Sequence, residues 1–219
     1  MPEYHKLSTG PASLAIWKIE EAEEQLKQYI GGDSFPVLAQ FQNEKRRLEW
    51  LASRCCLKML GYNDPIIYAR NKRPMLSSGR VELSISHSFP LVTVLVSPSF
   101  HVGVDIESLD RNYERIADKF LTLGEYTWVD VKDTRQMAIV WCAKEALYKL
   151  PGMQGVNSFV DMTVLPLGKP EAHGRFRMLV RVRGIIYSYS LEYLFLPSHL
   201  VTWVASPRHL LQQGAEEHG

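Results

Sequence analysis

No pair of cysteines in this chain has the spacing of a metal finger. Only three are present in 219 residues, Cys55, Cys56 and Cys142. Adjacent cysteines such as Cys55 and Cys56 are poorly placed to bridge each other, so reduced thiols and a reducing compartment are expected. Long apolar runs are missing as well. The longest, "PLVTVLVSP", is far too short to span a bilayer. The opening residues lack the basic and apolar regions of a signal peptide, and a cytoplasmic protein without a membrane partner is expected. Excess charge is absent too: the formal net charge is +1. That gives no global attraction to nucleic acid or to acidic lipid, so no nucleic-acid partner is expected.

What is present is ordinary in amount and uneven in distribution. The chain is 46% apolar and 22% charged, as in soluble globular proteins, and long enough for one large domain or two small ones. Between Glu44 and Glu82 nine Lys or Arg face four acids, a local net of +5. From residue 101 to 130 seven acids face three bases, a local net of −4. Such a division suits a polyanion held at the junction of a basic and an acidic, metal-binding part. Solvated surface charge with no common target gives the same counts.

The periodicity alternates helix and strands twice. A helix is expected from about Ser34 to Leu60, where Leu48, Leu51, Ala52, Cys55 and Leu57 recur near helical spacing and Gly61 caps the end. "NDP" at 63–65 reads as a turn, "IIYA" as a short strand and "NKRPMLSSGR" as turn composition. "VELSIS" and "LVTVLVS" read as a hairpin around His87–Pro90. Residues 111–120 read as a charged helix. A second long helix, capped by Asp133 or Thr134, runs to Leu150 and stops at Pro151–Gly152. Strands are expected at 159–164, 175–183, 185–195 and 200–205, with a tight turn at 182–184, and the tail 212–219 is expected to be disordered. The fold class is therefore α+β. Two similar halves, 1–100 and 101–219, are expected, each a long helix on a small antiparallel sheet.

The chemistry concentrates in "HVGVDIESLD". Val102, Val104 and Ile106 alternate with Gly103, Asp105 and Glu107, so on a strand both carboxylates leave the same face. Paired like charges raise each other's pKa unless a cation lies between them. "WCAKEALYKL" supplies a third carboxylate: Trp141, Glu145 and Lys149 follow at i, i+4 and i+8, one helical stripe. Taken alone, Glu145 and Lys149 read equally as a surface pair worth about 0.3–0.5 kcal/mol. Together, Asp105, Glu107 and Glu145 are three hard oxygen donors that suit Mg²⁺ and lack the His and Cys that favour zinc. "SISHSF" sets His87 just past a strand between Ser86 and Ser88, and "NKRP" sets Lys72 and Arg73 in a loop. Each is a candidate phosphate contact, or a locally satisfied polar residue. "EKRRLEWLASR" sets Arg47 and Arg54 seven apart on one helix face, beside Lys45 and Arg46.

In this order the motifs resemble the 4′-phosphopantetheinyl transferases. "VGVDIE", followed some forty residues later by "WCAKEALYK", is similar to that family's Gly-x-Asp-x-Glu strand and Trp-x-x-Lys-Glu-Ala-x-x-Lys helix. "RRLEWLASR", "NKRP" and "SISHS" resemble its upstream motifs, so the likeness spans roughly residues 44 to 150. Length and the middle acid Glu107 resemble the monomeric, Sfp-type branch rather than the short, trimeric one. The resemblance implies a pseudo-dimer of two α+β halves that binds coenzyme A and Mg²⁺. It implies transfer of phosphopantetheine to a serine of an acyl or peptidyl carrier protein, with release of 3′,5′-ADP. On the matching positions it implies metal binding by Asp105, Glu107 and Glu145. Glu145 is also the candidate base, and Lys144 can assist only if its pKa is depressed. Lys149 is implied as a catalytic and coenzyme-binding cation, with coenzyme contacts from Arg54, Lys72, Arg73, Ser86 and His87. Arg47 and Lys45 are alternatives for the 3′-phosphate. Phe120, Leu121, Leu123 and Tyr126, with Arg111, Arg115 and Lys119, are expected to meet the carrier. Other readings are a Mg²⁺-dependent phosphohydrolase or nuclease and a non-catalytic coenzyme A or carrier-binding module.

Overall fold

The computed structural model describes residues 4–31, 35–153, 156–157 and 160–208. It is α+β, with two compact units, Met1–Pro98 and Ser99–Gly219. The first unit contains β1 (Tyr4–Ser8), β2 (Ser13–Lys18), α1 (Glu23–Ile30), α2 (Glu44–Met59), β3 (Ile66–Tyr68), β4 (Pro74–Leu76), β5 (Glu82–Ser88) and β6 (Leu91–Ser97). Its main sheet is antiparallel in the order β1-β2-β6-β5, and β3-β4 is a separate ribbon. Leu51, Cys55 and Cys56 on α2 are buried with Trp17, Val92 and Val94. The thiols are free, and burial pushes Cys55 up to about 12.

The second unit contains β7 (Phe100–Ser108), α3 (Thr134–Tyr148), β8 (Met162–Val164), β9 (His173–Val182), β10 (Ile185–Phe195) and β11 (His199–Pro207). Its antiparallel sheet runs β7-β11-β10-β9-β8. The Asp133 carboxylate caps α3 by accepting from the backbone N–H of Arg135 and Gln136, which satisfies two of the helix's orphan donors. Met137, Ile139, Val140 and Leu147 of α3 are buried in one core with Met178, Val180, Leu191 and Leu200 of the sheet. No helix of the described residues is long and apolar enough to cross a membrane.

Several elements differ from the reading of the sequence. The first long helix begins at Glu44, because Asn43 is extended; residues Pro36–Gln40 form a separate 3-10 helix. The expected start at Ser34 lies outside the described residues, as do Phe159 and the tail 212–219. Residues 111–120 form only a short 3-10 helix, Glu114–Lys119, whose entry is fixed by Asn112 Oδ1 accepting from the Arg115 N–H. His87 lies inside β5 rather than beyond it. β1, β2 and α1 are additional elements.

Candidate active site

Alternation along β7 puts Gly103, Asp105 and Glu107 on one face, and α3 covers that face closely. A Cβ built on Gly103 would lie 2.1 Å from the Ala146 carbonyl oxygen, so only glycine admits the helix backbone here. Glu145 and Lys149, on either side of Ala146, are thereby carried to the two carboxylates. Lys149 Nζ donates to Asp105 Oδ1 and to the Val104 carbonyl, both at 2.8 Å. Its nearest acid is therefore Asp105 rather than Glu145, and it is not a helix-surface pair.

Glu107 Oε1 accepts from Trp141 Nε1 at 2.7 Å and from Arg111 Nη1 at 2.9 Å. Burial, and then the charge of Asp105, push the Glu107 carboxyl above the usual range, and the two donors oppose this. Glu145 is likewise raised, first by burial and then by Asp105, with Lys149 opposing. Mutual repulsion of this kind is what a divalent cation relieves. In donor chemistry the set fits Mg²⁺: three hard carboxylate groups reached from one strand face and one helix. As they stand, however, Asp105 and Glu107 are bonded to Lys149, Arg111 and Trp141. Among the described residues no three His, Cys, Asp or Glu are gathered closely enough to hold a metal ion.

Lys144 turns away from this face. It is fully buried, and Nζ donates to Glu125 Oε2 at 2.7 Å and to the Phe120 carbonyl at 2.5 Å. Glu125, equally buried, accepts from the backbone N–H of Thr122 and of Val164, each at 2.7 Å. Removing one partner of such a pair typically costs about 3–5 kcal/mol, because a charge is left buried alone. Burial lowers the Lys144 pKa while Glu125 opposes it. Even so, its ammonium is committed to the core, so Lys144 does not assist at the carboxylates. Phe120 and Leu121 are buried as well, which removes them from the expected carrier surface; Leu123 (89%) and Tyr126 (38%) are exposed. Arg111 is bonded to Glu107, while Arg115 and Lys119 are exposed.

In the first unit the expected coenzyme contacts fall into separate groups. Arg54 stacks on Trp50 at 3.5 Å and donates to the Trp50 carbonyl and Ser53 Oγ. Burial draws its pKa down to about 10, opposed by Tyr68, so it stays cationic at neutral pH. It borders a cavity of about 300 Å³ together with Leu57, Lys58, Tyr62 and Asp64. Lys72 is exposed at the turn between β3 and β4, with a left-handed φ of 64°. Arg73, beside it, pairs with Glu82. Ser86 is buried and His87 is partly exposed, both on β5.

Next to His87 lie two residues of α2. Glu49 Oε2 is 3.3 Å from His87 Nδ1 and 3.3 Å from Arg46 Nη1, and Arg46 also touches His87 Nε2. Glu49 carries no signal in the sequence, since local spacing does not reveal that His87, 38 positions later, packs opposite it. Arg47 is tied instead to Glu23 at 2.8 Å and to the Phe41 carbonyl at 3.0 Å. It therefore serves as a brace between α2 and α1, and Arg46 is the cation beside His87.

No curated protein is a significant match to the chain. The family comparison is positive: residues 101–199 match the model of the 4′-phosphopantetheinyl transferase superfamily. That range holds the β7 carboxylates and the whole of α3.

Proposed function

We propose that the protein transfers 4′-phosphopantetheine from coenzyme A to a serine of an acyl or peptidyl carrier protein, converting apo to holo carrier with Mg²⁺ and releasing 3′,5′-ADP. The observation that carries this reading is the cluster on β7 and α3. Two carboxyls there are raised by burial and by Asp105, and a lysine is bonded to Asp105. Asp105, Glu107 and Glu145 would hold the metal, which when bound supplies charge to neutralise the coenzyme's diphosphate.

The chain's own residues do the rest. The carrier serine oxygen forms a bond to the phosphorus nearest the pantetheine, and the bond from that phosphorus to the bridging oxygen breaks. The bridging oxygen leaves on 3′,5′-ADP. The serine proton passes to the carboxylate of Glu145. Lys149 uses two of its three donors on Val104 and Asp105, which leaves the third for the developing charge on the leaving diphosphate. Arg54, Lys72, Arg73, Ser86 and His87 hold the 3′-phosphate and adenine end, with Arg46 added beside His87. Exposed Leu123 and Tyr126, with Arg115 and Lys119, meet the carrier. The length and Glu107 favour the Sfp-type branch, a cytoplasmic monomer, and the three buried thiols suit a reducing compartment.

The test is the intact mass of an apo carrier protein after incubation with this protein, coenzyme A and Mg²⁺. A metal-dependent gain of one phosphopantetheine group is expected with wild type, and none with Asp105→Ala. Near-normal transfer by a folded Asp105→Ala protein overturns the role of the cluster. If coenzyme A raises the melting temperature but neither acyl nor peptidyl carriers gain mass, the protein is a binding module instead.

A further inference from the structure

A metal site depends on what orients its ligands as much as on the ligands themselves. Asp105 is held by Lys149, whereas Glu107 is held by two residues outside the carboxylate set. Its Oε1 accepts from Trp141 Nε1 at 2.7 Å and from Arg111 Nη1 at 2.9 Å. The two donors brace each other, because the Arg111 guanidinium lies over the Trp141 ring at 4.4 Å. Trp141 is braced in turn by an edge contact at 5.3 Å with Phe120, which is fully buried. Both bonds fall on the same carboxylate oxygen, Oε1, and Oε2 carries neither of them.

We infer that Trp141 and Arg111 are positioning residues that clamp Glu107 by Oε1 and so present Oε2 to a divalent cation. The inference rests on the reading of Glu107 as a metal ligand. The two donors act differently. Trp141 is neutral: its N–H orients the carboxylate and leaves the ligand's charge in place. Arg111 orients the same oxygen but also repels an arriving cation, so its removal has two opposing effects. Trp141 is therefore the clean probe. Trp141→Phe keeps an aromatic ring against Phe120 and beneath Arg111, and removes a single donor.

The experiment is titration of the full-length protein with Mn²⁺ alone, without coenzyme or carrier, with free Mn²⁺ read by electron paramagnetic resonance. Trp141→Phe should bind Mn²⁺ about tenfold or more weakly than wild type, the usual range for loss of an outer partner. In transfer assays the half-saturating metal concentration should rise by the same factor, while the KM for coenzyme A at saturating metal stays put. A merely structural role would shift both. If Trp141→Phe fails to fold, Arg111→Lys serves instead: it keeps the charge, loses the flat stack on Trp141, and should weaken Mn²⁺ binding in the same direction. Equal Mn²⁺ affinity in wild type and folded variant overturns the clamp. Absence of Mn²⁺ binding by wild type overturns the metal reading beneath it.

Discussion

Glu107 and Glu145 hold their protons more tightly in the folded chain than the ordinary carboxyl value of 4.5 implies, through burial first and Asp105 second. A carboxyl raised in this way adds stability that is fully present below the unfolded pKa. That contribution is lost as pH rises through the higher folded value. The metal-free protein therefore ionises both groups at a cost as pH rises, and a divalent cation needs both ionised. The expected outcome is that Mg²⁺ raises the melting temperature more at about pH 8 than at about pH 5.5, where protons compete for the same oxygens. Differential scanning fluorimetry at the two pH values measures this. Asp105→Asn removes the second cause of both shifts and should flatten the pH dependence of the metal-free protein. An equal Mg²⁺ effect at both pH values would take these carboxylates out of metal binding.

The β7–α3 contact is what turns residue types into a site, and Gly103 sets its closeness. Alanine there would drive a Cβ to within 2.1 Å of the Ala146 carbonyl, a backbone atom that cannot rotate away. Gly103→Ala should therefore destabilise the fold by about 1–3 kcal/mol as strand and helix separate. It should also abolish transfer by moving Glu145 and Lys149 away from Asp105. Urea denaturation and the carrier mass assay read the two effects, and wild-type behaviour in both would show that the contact is not required. This pair of elements was legible in the sequence because each side carries a clear signal, alternation on β7 and an Asp133 cap with a helical stripe on α3. β2 was not legible: Leu14 to Trp17 are all buried, which erases the alternation. α1 is short and buries only Leu26, too little for a period to register. Spacing reports which residues share a face and is silent on what lies opposite. Glu49 beside His87 and Glu125 beneath Lys144 are invisible to it for that reason, and Phe120 reads as surface although it is buried.

At the scale of the whole molecule, the charge imbalance read from the sequence changes meaning once the internal partners are known. Of the nine cations between Glu44 and Glu82, Arg47 is tied to Glu23, Arg73 to Glu82 and Lys58 to the Tyr29 and Ile30 carbonyls, while Arg54 stacks on Trp50. Lys45, Arg46, Arg70, Lys72 and Arg80 are exposed. The cations of the first unit thus divide into braces and a solvent-facing set, a division that no charge count contains. Only the second set acts at long range, and salt screens it: the Debye length falls from about 10 Å at 0.1 M to about 3 Å at 1 M. If these cations attract the coenzyme, its KM should rise steeply over that range of ionic strength. Dephospho-coenzyme A, with one phosphate fewer, should show a weaker dependence. Arg54 acts at short range from its stack on Trp50, so Arg54→Ala should raise the KM for coenzyme A more than for dephospho-coenzyme A at every salt concentration. Steady-state transfer assays with the two donors separate the effects. A salt-sensitive KM with an equal Arg54→Ala penalty for both donors would leave the exposed cations in recognition and remove Arg54 from the 3′-phosphate. A KM indifferent to salt would remove the exposed set.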